Sequence, residues 1–186
     1  PGASVSSKYE PVPANAAIHQ EEKTVPSAYT EEQMAYMQKW VTDHRYGYIH
    51  SGGVKGHVMD MRFLGGYRYE TMLLLRYVGR KSGKTMITGL GYAQIGSEIG
   101  ILASLGGADF HPQWYLNMKA GGPVAIQIAT EAFNATWREA AGEELEEVWQ
   151  WMIKSNPLFG NYRKISKRQI PLILLNPQEQ IPVFTE

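Results

Sequence analysis

Cysteine is absent from the sequence. This absence excludes disulfide bonds, thiolate metal sites, iron–sulfur clusters and a cysteine nucleophile, and it is typical of a cytoplasmic protein. Long apolar runs are also absent, since none approaches the ~20 residues that a membrane-spanning helix needs. We therefore expect a cytoplasmic protein, and we leave membrane association as an alternative.

A surplus of charge of either sign is missing too. Lys+Arg and Asp+Glu both number 18, so the formal net charge is zero. Broad attraction to nucleic acid requires an excess of cations, so we expect no nucleic-acid partner, and any anion site must be local. Aromatic residues, by contrast, are plentiful: eleven tyrosines and five tryptophans are typical of a pocket for a flat ligand.

Prolines and turn residues divide the chain into an N-terminal part and a compact domain. Four prolines and a lack of periodicity predict an irregular arm over residues 1–29. A helix over 31–46 follows, with Met34, Met37, Trp40 and Val41 on its inner face, and then a glycine-rich loop over 47–57. We group residues 30–60 as a lid over a domain of residues 61–186.

The remaining elements predict an α+β fold. A short strand and turn are expected over 61–70, and the predicted helices cover 111–120 and 142–156. The predicted strands are 71–78, 86–95, 98–104, 123–130, 132–140 and 169–177. Short connections predict antiparallel hairpins, including one that pairs 86–95 with 98–104. About six strands with helices outside them favour a small barrel.

The segment GRKSGK, residues 79–84, resembles a nucleotide-binding loop but fails the test for one. A P-loop has four residues between its first glycine and its Gly-Lys pair, whereas Gly79 and Gly83 enclose three. A P-loop also leads into a helix, and the residues after Lys84 have the pattern of a strand. Hydrolysis of ATP or GTP is therefore disfavoured, and the segment by itself is typical of a solvated basic turn.

Other candidate motifs are weaker. His44, His50 and His57 match no familiar metal spacing, so we expect no metal site. Ser104 lacks the G-x-S-x-G context of a serine hydrolase. The turn after Ser104 contains Gly106 and Gly107, and its backbone amides suit an anion or a carbonyl group.

Several motifs taken together resemble the deazaflavin (F420)-dependent nitroreductase and quinone reductase family. They are GRKSGK, then LASLGGADFHPQWYLNMKAGGPV, then NPLFGNY and the final RQIPLILLNP. The resemblance covers roughly residues 60–177. It implies an antiparallel split β-barrel, similar to barrels that bind flavin mononucleotide (FMN), with flanking helices.

The resemblance also implies a set of site residues. Arg80, Lys81 and Ser82 correspond to the loop that binds the phosphate-bearing tail of the coenzyme. The residues implied beside the deazaflavin or closing over it are Met86, Ile87, Thr88, Gly89, Leu90, Gly91, Leu102, Ala103, Ser104, Leu105, Gln113, Trp114, Tyr115, Leu116, Asn117 and Phe159. The residues implied on the substrate side are Trp114, Asn156, Phe159 and Tyr162.

The activity implied is hydride transfer from reduced coenzyme F420 to a quinone, a nitro group or an activated alkene. In this chemistry the coenzyme performs the hard step and the protein orients the reactants. Backbone amides near Ser104 stabilise negative charge that develops on the acceptor. Tyr162 positions the substrate or relays a proton, so Ser104 and Tyr162 are the expected catalytic residues.

The chain departs from the family pattern at four positions. Met86 and Leu105 stand where the family commonly has an arginine and a lysine, so two cations beside the coenzyme tail are missing. Each charge-assisted contact is worth ~1.5–3 kcal/mol, and the loss predicts weaker binding of the tail. Gly91 and Asn156 replace aromatic residues, which predicts a more open pocket.

These departures leave other interpretations open. FMN is an alternative cofactor, and the absence of any cofactor is another. The barrel would then act as a cofactor-independent lyase or isomerase on an aromatic substrate, or as a non-catalytic binder of a flat ligand. In every case the expected partner is a small aromatic or quinone-like molecule, and the expected assembly is a monomer or a homodimer.

Overall fold

The structure is a computed structural model that describes residues 30–185. Its helices are α1 Glu31–His50, α2 Gln113–Lys119, α3 Gly142–Ser155 and α4 Pro157–Ile165. Its strands are β1 Val58–Met59, β2 Glu70–Val78, β3 Thr85–Gly91, β4 Ala93–Ile95, β5 Glu98–Leu102, β6 Val124–Ile128, β7 Glu131–Glu139 and β8 Leu172–Ile181. Two single turns of 3-10 helix occupy Arg62–Leu64 and Leu105–Gly107.

The strands form one antiparallel sheet in the order β1-β2-β6-β7-β8-β5-β4, with β3 paired to β2. One buried cluster combines Leu73 of β2, Ile101 of β5, Ile126 of β6 and Ile173 of β8. Since β2 and β5 are separated by three strands in the sheet order, this shared core shows that the sheet curls. The predicted α+β class and antiparallel split barrel are therefore confirmed. The sheet has eight strands within residues 30–185, whereas the sequence indicated about six.

The predicted strand over 86–95 is wrong as a single element. The chain pairs with β2 as far as Gly91, and β4 then pairs with β5 from Ala93 onwards. Tyr92 is the crossing point, where its amide donates to the Thr71 carbonyl (3.3 Å) and its carbonyl accepts the Thr71 hydroxyl (3.2 Å). The predicted hairpin is therefore correct only for its second half, β4 with β5.

Helix α1 extends further than predicted, because it continues through the first four residues of the predicted glycine-rich loop. Tyr48 is the reason, since its side chain is fully buried and its hydroxyl connects β2 to the turn between β6 and β7. The hydroxyl accepts the Ala129 amide (2.8 Å) and donates to the Met72 carbonyl (3.2 Å). Tertiary packing thus overrides the low helix propensity of Gly47.

Other parts of the N-terminal prediction have mixed outcomes. Trp40 is half-buried, but Val41 is exposed and does not belong to an inner face. The side chains of Met34 and Met37, like the predicted arm over 1–29, lie outside what the structure describes. The predicted strand within 61–70 is wrong, because residues 62–64 form a 3-10 turn and the short strand lies earlier, at β1. The division into arm, lid and barrel domain stays a prediction.

Helices α3 and α4 meet at Asn156. The side chain of Asn156 accepts the amide of Leu158 (2.9 Å) and caps α4, whose first residue is Pro157. Proline suits this position because the first helical amides have no partner within the helix. The turn brings Phe159 and Tyr162 to the buried face of α4, where both pack with Leu102.

Candidate functional site

The basic turn over residues 79–84 joins β2 to β3, as predicted. Within it the Gly83 amide donates to the Gly79 carbonyl (2.7 Å), and Gly83 has a φ of 66° that suits glycine. The Ser82 hydroxyl accepts the Lys84 amide (3.2 Å). The backbone is thus folded by its own hydrogen bonds.

Arg80 is held against α2 by two neutral side chains. Its backbone amide and Nη1 both donate to Oδ1 of Asn117 (3.2 and 2.6 Å), and Nη2 donates to Oε1 of Gln113 (3.1 Å). Asn117 is buried, so this acceptor is fixed. Because neither partner carries a charge, the guanidinium is oriented without being neutralised, and its positive charge is available to an anion.

Two further cations lie in the same turn. Within residues 30–185, neither Lys81 nor Lys84 makes a side-chain hydrogen bond or an ion pair, and both are exposed. Met86 and Leu105, which replace the two expected cations, are 41% and 46% exposed. The turn is therefore a local positive site in a chain of zero net charge.

One face of β3 is lined by two glycines and covered by two helices. A Cβ at Gly91 would lie 3.4 Å from Phe159 Cζ and 3.9 Å from Asn156 Nδ2. A Cβ at Gly89 would lie 2.9 Å from Nδ1 of His44 on α1. Alternate residues of a strand share a face, so His44, Phe159 and Asn156 cover the same surface. The structure thus brings together Gly91, Asn156 and Phe159, as the sequence prediction requires.

The other predicted residues of β3 are Ile87, Thr88 and Leu90, and all three are half-buried. Ile87 packs with the cluster around Tyr48, and Leu90 packs against the barrel core. These two residues therefore lie on opposite faces of the strand. A flat ligand on one face of β3 contacts only part of the predicted set through side chains.

The turn after β5 packs against α4. A Cβ at Gly107, whose φ is 88°, would lie 2.5 Å from Ile165 Cδ1 and 3.3 Å from Tyr162 Cα. Ser104 is buried, and its carbonyl accepts the Gly107 amide (3.0 Å). Ser104 and Tyr162 are therefore on neighbouring elements. Leu102 and Ala103, which precede the turn, are both buried.

Backbone amides are available at this turn. Within the described residues, the amides of Ser104, Leu105 and Gly106 donate no hydrogen bond. Leu105 has a φ of 46°, which is uncommon for a residue with a side chain and occurs often at functional sites. The turn thus offers donors to a ligand oxygen.

The aromatic residues of α2 pack into the barrel core. Trp114 and Tyr115 are buried in the barrel core, and Leu116 is half-buried against it. The Tyr115 hydroxyl donates to Oε1 of Glu139 (2.8 Å), and burial together with this carboxylate raises the pKa of Tyr115 to about 12. Their contact with a cofactor or substrate stays a prediction, and their visible role is to pack the core.

His44 lies beside the candidate site, a position that was not predicted when its spacing to other histidines was found to match no metal motif. Its ring stacks on Trp40 with centroids 5.1 Å apart, and Nε2 lies 2.7 Å from the Gly56 carbonyl. Because a carbonyl only accepts, Nε2 carries the proton. Nδ1 is buried and has no hydrogen-bond partner within residues 30–185. A single histidine on a helix gives no signal of this arrangement in sequence.

We expect His44 to make the protein less stable in mild acid. Burial lowers the pKa of the His44 imidazole below its ordinary value of 6.5. The unfolded chain therefore binds a proton near pH 6.5 that the folded chain does not bind, and the free energy of unfolding falls as the pH drops through 6.5. The free energy of unfolding stops falling through this group once the pH is below the pKa of His44 in the folded protein.

Urea unfolding at pH 7.5 and 5.5 measures this effect. His44→Phe keeps the ring stacking and removes the titration, so its loss of stability between the two pH values is expected to be smaller than that of the wild type. Burial also lowers the pKa of His111, but His111 is present in both proteins. Equal losses in the two proteins would contradict the assignment to His44.

Neither a metal cluster nor a membrane span is found in the described part of the chain. Between residues 30 and 185, no three His, Asp or Glu side chains are placed to hold a metal ion. Over the same range, no helix is both long and apolar enough to cross a bilayer.

The chain is similar to known F420-dependent reductases. The family model described as F420H(2)-dependent quinone reductase matches residues 56–177. An F420H(2)-dependent quinone reductase of Mycobacterium tuberculosis (strain H37Rv) is 32% identical over 106 residues, which are 55% of this chain and 71% of that protein.

Solved structures support the same relationship. A structure described as an F420-H2 dependent reductase (FDR-A) matches with a TM-score of 0.52 and 31% identity, over 56% of this chain and 93% of that one. A chain described as a domain-swapped dimer matches with a TM-score of 0.55 and 28% identity, over 75% of this chain and 99% of that one. The chain therefore belongs to the F420H(2)-dependent quinone reductase family, and it is an oxidoreductase with coenzyme F420 as its cofactor.

Proposed function

We propose that the chain reduces quinones, and by the same chemistry nitro compounds or activated alkenes, with electrons from reduced coenzyme F420. The observation that carries the proposal is the arrangement of Arg80, which is oriented by Asn117 and Gln113 but not neutralised. An oriented, uncompensated cation is a site for an anion. The phosphate-bearing tail of the coenzyme is such an anion.

The two ends of β3 fit the two ends of this coenzyme. The cationic turn lies at the start of the strand, and Gly91 lies at its other end beside Phe159 and Asn156. Six steps of about 3.3 Å separate Thr85 from Gly91, which is about 20 Å. A cationic site and an aromatic site at this separation suit an elongated molecule with an anionic tail and a flat ring.

The residues present would hold the coenzyme at both ends. Arg80, Lys81 and Ser82 would bind the tail, while residues 86–91 and 102–105 would line the ring. When bound in its reduced form, coenzyme F420 supplies a hydride from C5 of the deazaflavin to an electron-poor acceptor.

The chain's own residues orient the acceptor and exclude water. Phe159 and Tyr162 are both buried on α4, where Phe159 lies against Gly91 at the end of β3 and Tyr162 lies beside Gly107 in the turn after β5. Together they provide an apolar wall for a flat acceptor. The amides of Ser104 and Leu105 donate to an acceptor oxygen as negative charge develops on it. Tyr162 positions the substrate, and solvent supplies the proton.

The lyase, isomerase and carrier alternatives have no contact in their favour among residues 30–185. FMN also carries a phosphate, so the tail site alone does not discriminate against it, but family membership does. Assembly as a homodimer belongs to the same proposal, since a 28% identical solved chain is described as a domain-swapped dimer.

A steady-state assay tests the proposed acceptor. Purified protein is mixed with reduced F420 and with menadione, a nitroaromatic compound or a cyclic enone, and the return of oxidised F420 absorbance is recorded. We expect turnover of menadione in the wild type and a loss of at least tenfold in kcat/KM for Phe159→Ala. Val58→Ala, a change at an exposed residue of β1, is the control. Binding of the coenzyme without turnover of any acceptor would contradict the proposal and favour a carrier.

A further inference from the structure

Arg168, which precedes β8, binds the segment that carries Ser104. Nη2 donates to the carbonyls of Ala103 (2.8 Å), Ser104 (3.3 Å) and Phe110 (3.0 Å), and Nε donates to the carbonyl of Ala108 (2.9 Å). One guanidinium therefore holds four carbonyls of the segment 103–110. Nη1 also lies 3.2 Å from Nδ1 of His111, next to the start of α2.

The setting of Arg168 is unusual for an arginine. Within residues 30–185, no carboxylate accepts a hydrogen bond from it, and Asp109 binds the Lys167 amide instead (2.9 Å). The side chain is partly buried, and this burial lowers the pKa of the guanidinium. Carbonyl acceptors offset the loss of hydration. The contacts therefore fix backbone geometry and do not form an ion pair.

The hydrogen bonds of Arg168 fix the direction of two amides. In a trans peptide the carbonyl and the N–H point in opposite directions, and the described chain has no cis peptide. The carbonyls of Ala103 and Ser104 point towards Arg168, so the amides of the following residues, Ser104 and Leu105, point away from it. These amides have no partner of their own among the described residues.

We propose that Arg168 is a positioning residue for the reduction, which acts through the segment 103–110. It holds the Ser104 and Leu105 amides in the orientation in which they donate to the acceptor oxygen. This inference rests on the proposed function, because it assigns those amides to the reaction. Lysine does not replace arginine here, since a single ammonium lacks the planar set of donors that reaches four carbonyls.

The cationic contacts proposed for the coenzyme tail do not involve Arg168. Arg80 is held by Asn117 and Gln113, and Arg168 contacts none of these three side chains. Loss of Arg168 is therefore expected to change the rate of the reaction much more than the affinity for the coenzyme. A merely structural role would instead lower the fraction of active protein and leave kcat per folded site unchanged.

Arg168→Lys and Arg168→Gln test the inference, with kcat for menadione, the Kd for F420 and Tm measured for each. Assays run at least 10 °C below the Tm of each variant, and kcat is normalised to the fraction that binds F420. We expect kcat to fall tenfold or more in both variants while Kd changes less than threefold. Arg138→Lys is the matched control, because Arg138 also makes several hydrogen bonds but to Glu98 and Glu144 at the surface.

The outcomes separate the inference from the proposed function. A folded Arg168→Lys or Arg168→Gln protein with kcat within twofold of the wild type overturns the inference. A parallel loss of kcat in Arg138→Lys also overturns it, because the effect would then belong to any buried or bridging arginine. A wild-type protein that neither binds nor oxidises reduced F420 overturns the proposed function itself.

Discussion

Arg80→Ala is expected to weaken the binding of coenzyme F420 by about tenfold to a hundredfold. A hydrogen bond to a charged partner contributes ~1.5–3 kcal/mol, and each ~1.4 kcal/mol is a factor of ten in Kd. The effect is large because Arg80 is already oriented by Asn117 and Gln113, so little further ordering is needed when the tail binds. Two cations common in the family are absent here, at Met86 and Leu105. Arg80 and Lys81 are therefore expected to contribute a larger share of the binding free energy of the coenzyme tail.

Fluorescence titration of F420 at low and moderate salt measures this change. The wild type is expected to lose affinity as salt is added, and Arg80→Ala is expected to lose less, because one screened contact is gone. Arg62→Ala is the control, since Arg62 is exposed and paired with Asp60 away from the turn. If Arg80→Ala binds as tightly as Arg62→Ala does, the assignment of the tail site is wrong.

Gly53→Ala is expected to lower the free energy of unfolding by about 3 kcal/mol or more. A Cβ at this position would lie 1.6 Å from the carbonyl oxygen of Ala129, and the φ of 89° disfavours any residue with a side chain. The Gly53 amide also donates to the Tyr48 carbonyl (2.9 Å), so the clash falls where α1 meets the turn between β6 and β7. Backbone, not a flexible side chain, has to move.

Urea unfolding of Gly53→Ala beside Gly52→Ala isolates the clash. Gly52 also has a positive φ, 62°, but a Cβ there meets nothing within 4 Å. Gly52→Ala should therefore lose only the roughly 1 kcal/mol of a left-handed backbone. Equal losses at the two positions would show that α1 is not anchored at this turn. The anchor matters because α1 precedes the residues matched by the family model and carries His44 over β3.

Local patterns were sufficient to predict most of the elements. An apolar run predicted β2, alternation predicted the hairpin of β6 with β7, and acidic residues in the first turn predicted the start of α3. The break at Tyr92 was missed because residues 86–95 contain no local signal that separates one strand from the next. Only the curl of the sheet requires the chain to leave β2 and join β5 there. The extension of α1 was missed for a similar reason, since Tyr48 is buried by strands distant in sequence.

In the candidate site too, local features were predicted and contacts between distant parts of the sequence were not. The turn over 79–84 is a local feature, and its motif indicated both its basic character and its family. The clasp of Arg80 by Asn117, 37 residues later, depends on the packing of α2 beside the turn. The roles of His44 and Arg168 were not predicted, although one is among the histidines considered for a metal site and the other begins the motif RQIPLILLNP. Backbone groups, which every sequence has, define the environments of both side chains. Sequence patterns identify side chains that belong to a motif, and they miss the roles of side chains whose hydrogen-bond partners are backbone groups.

Titration of the purified wild-type chain with coenzyme F420, repeated with Lys81→Ala, tests the central claim most directly. Quenching of coenzyme fluorescence reports binding, and the account predicts a Kd in the micromolar range that Lys81→Ala raises several-fold. The quench should saturate at one coenzyme per chain. Absence of binding by the wild type at micromolar coenzyme would contradict the account, as would binding that is indifferent to Lys81→Ala and Arg80→Ala together.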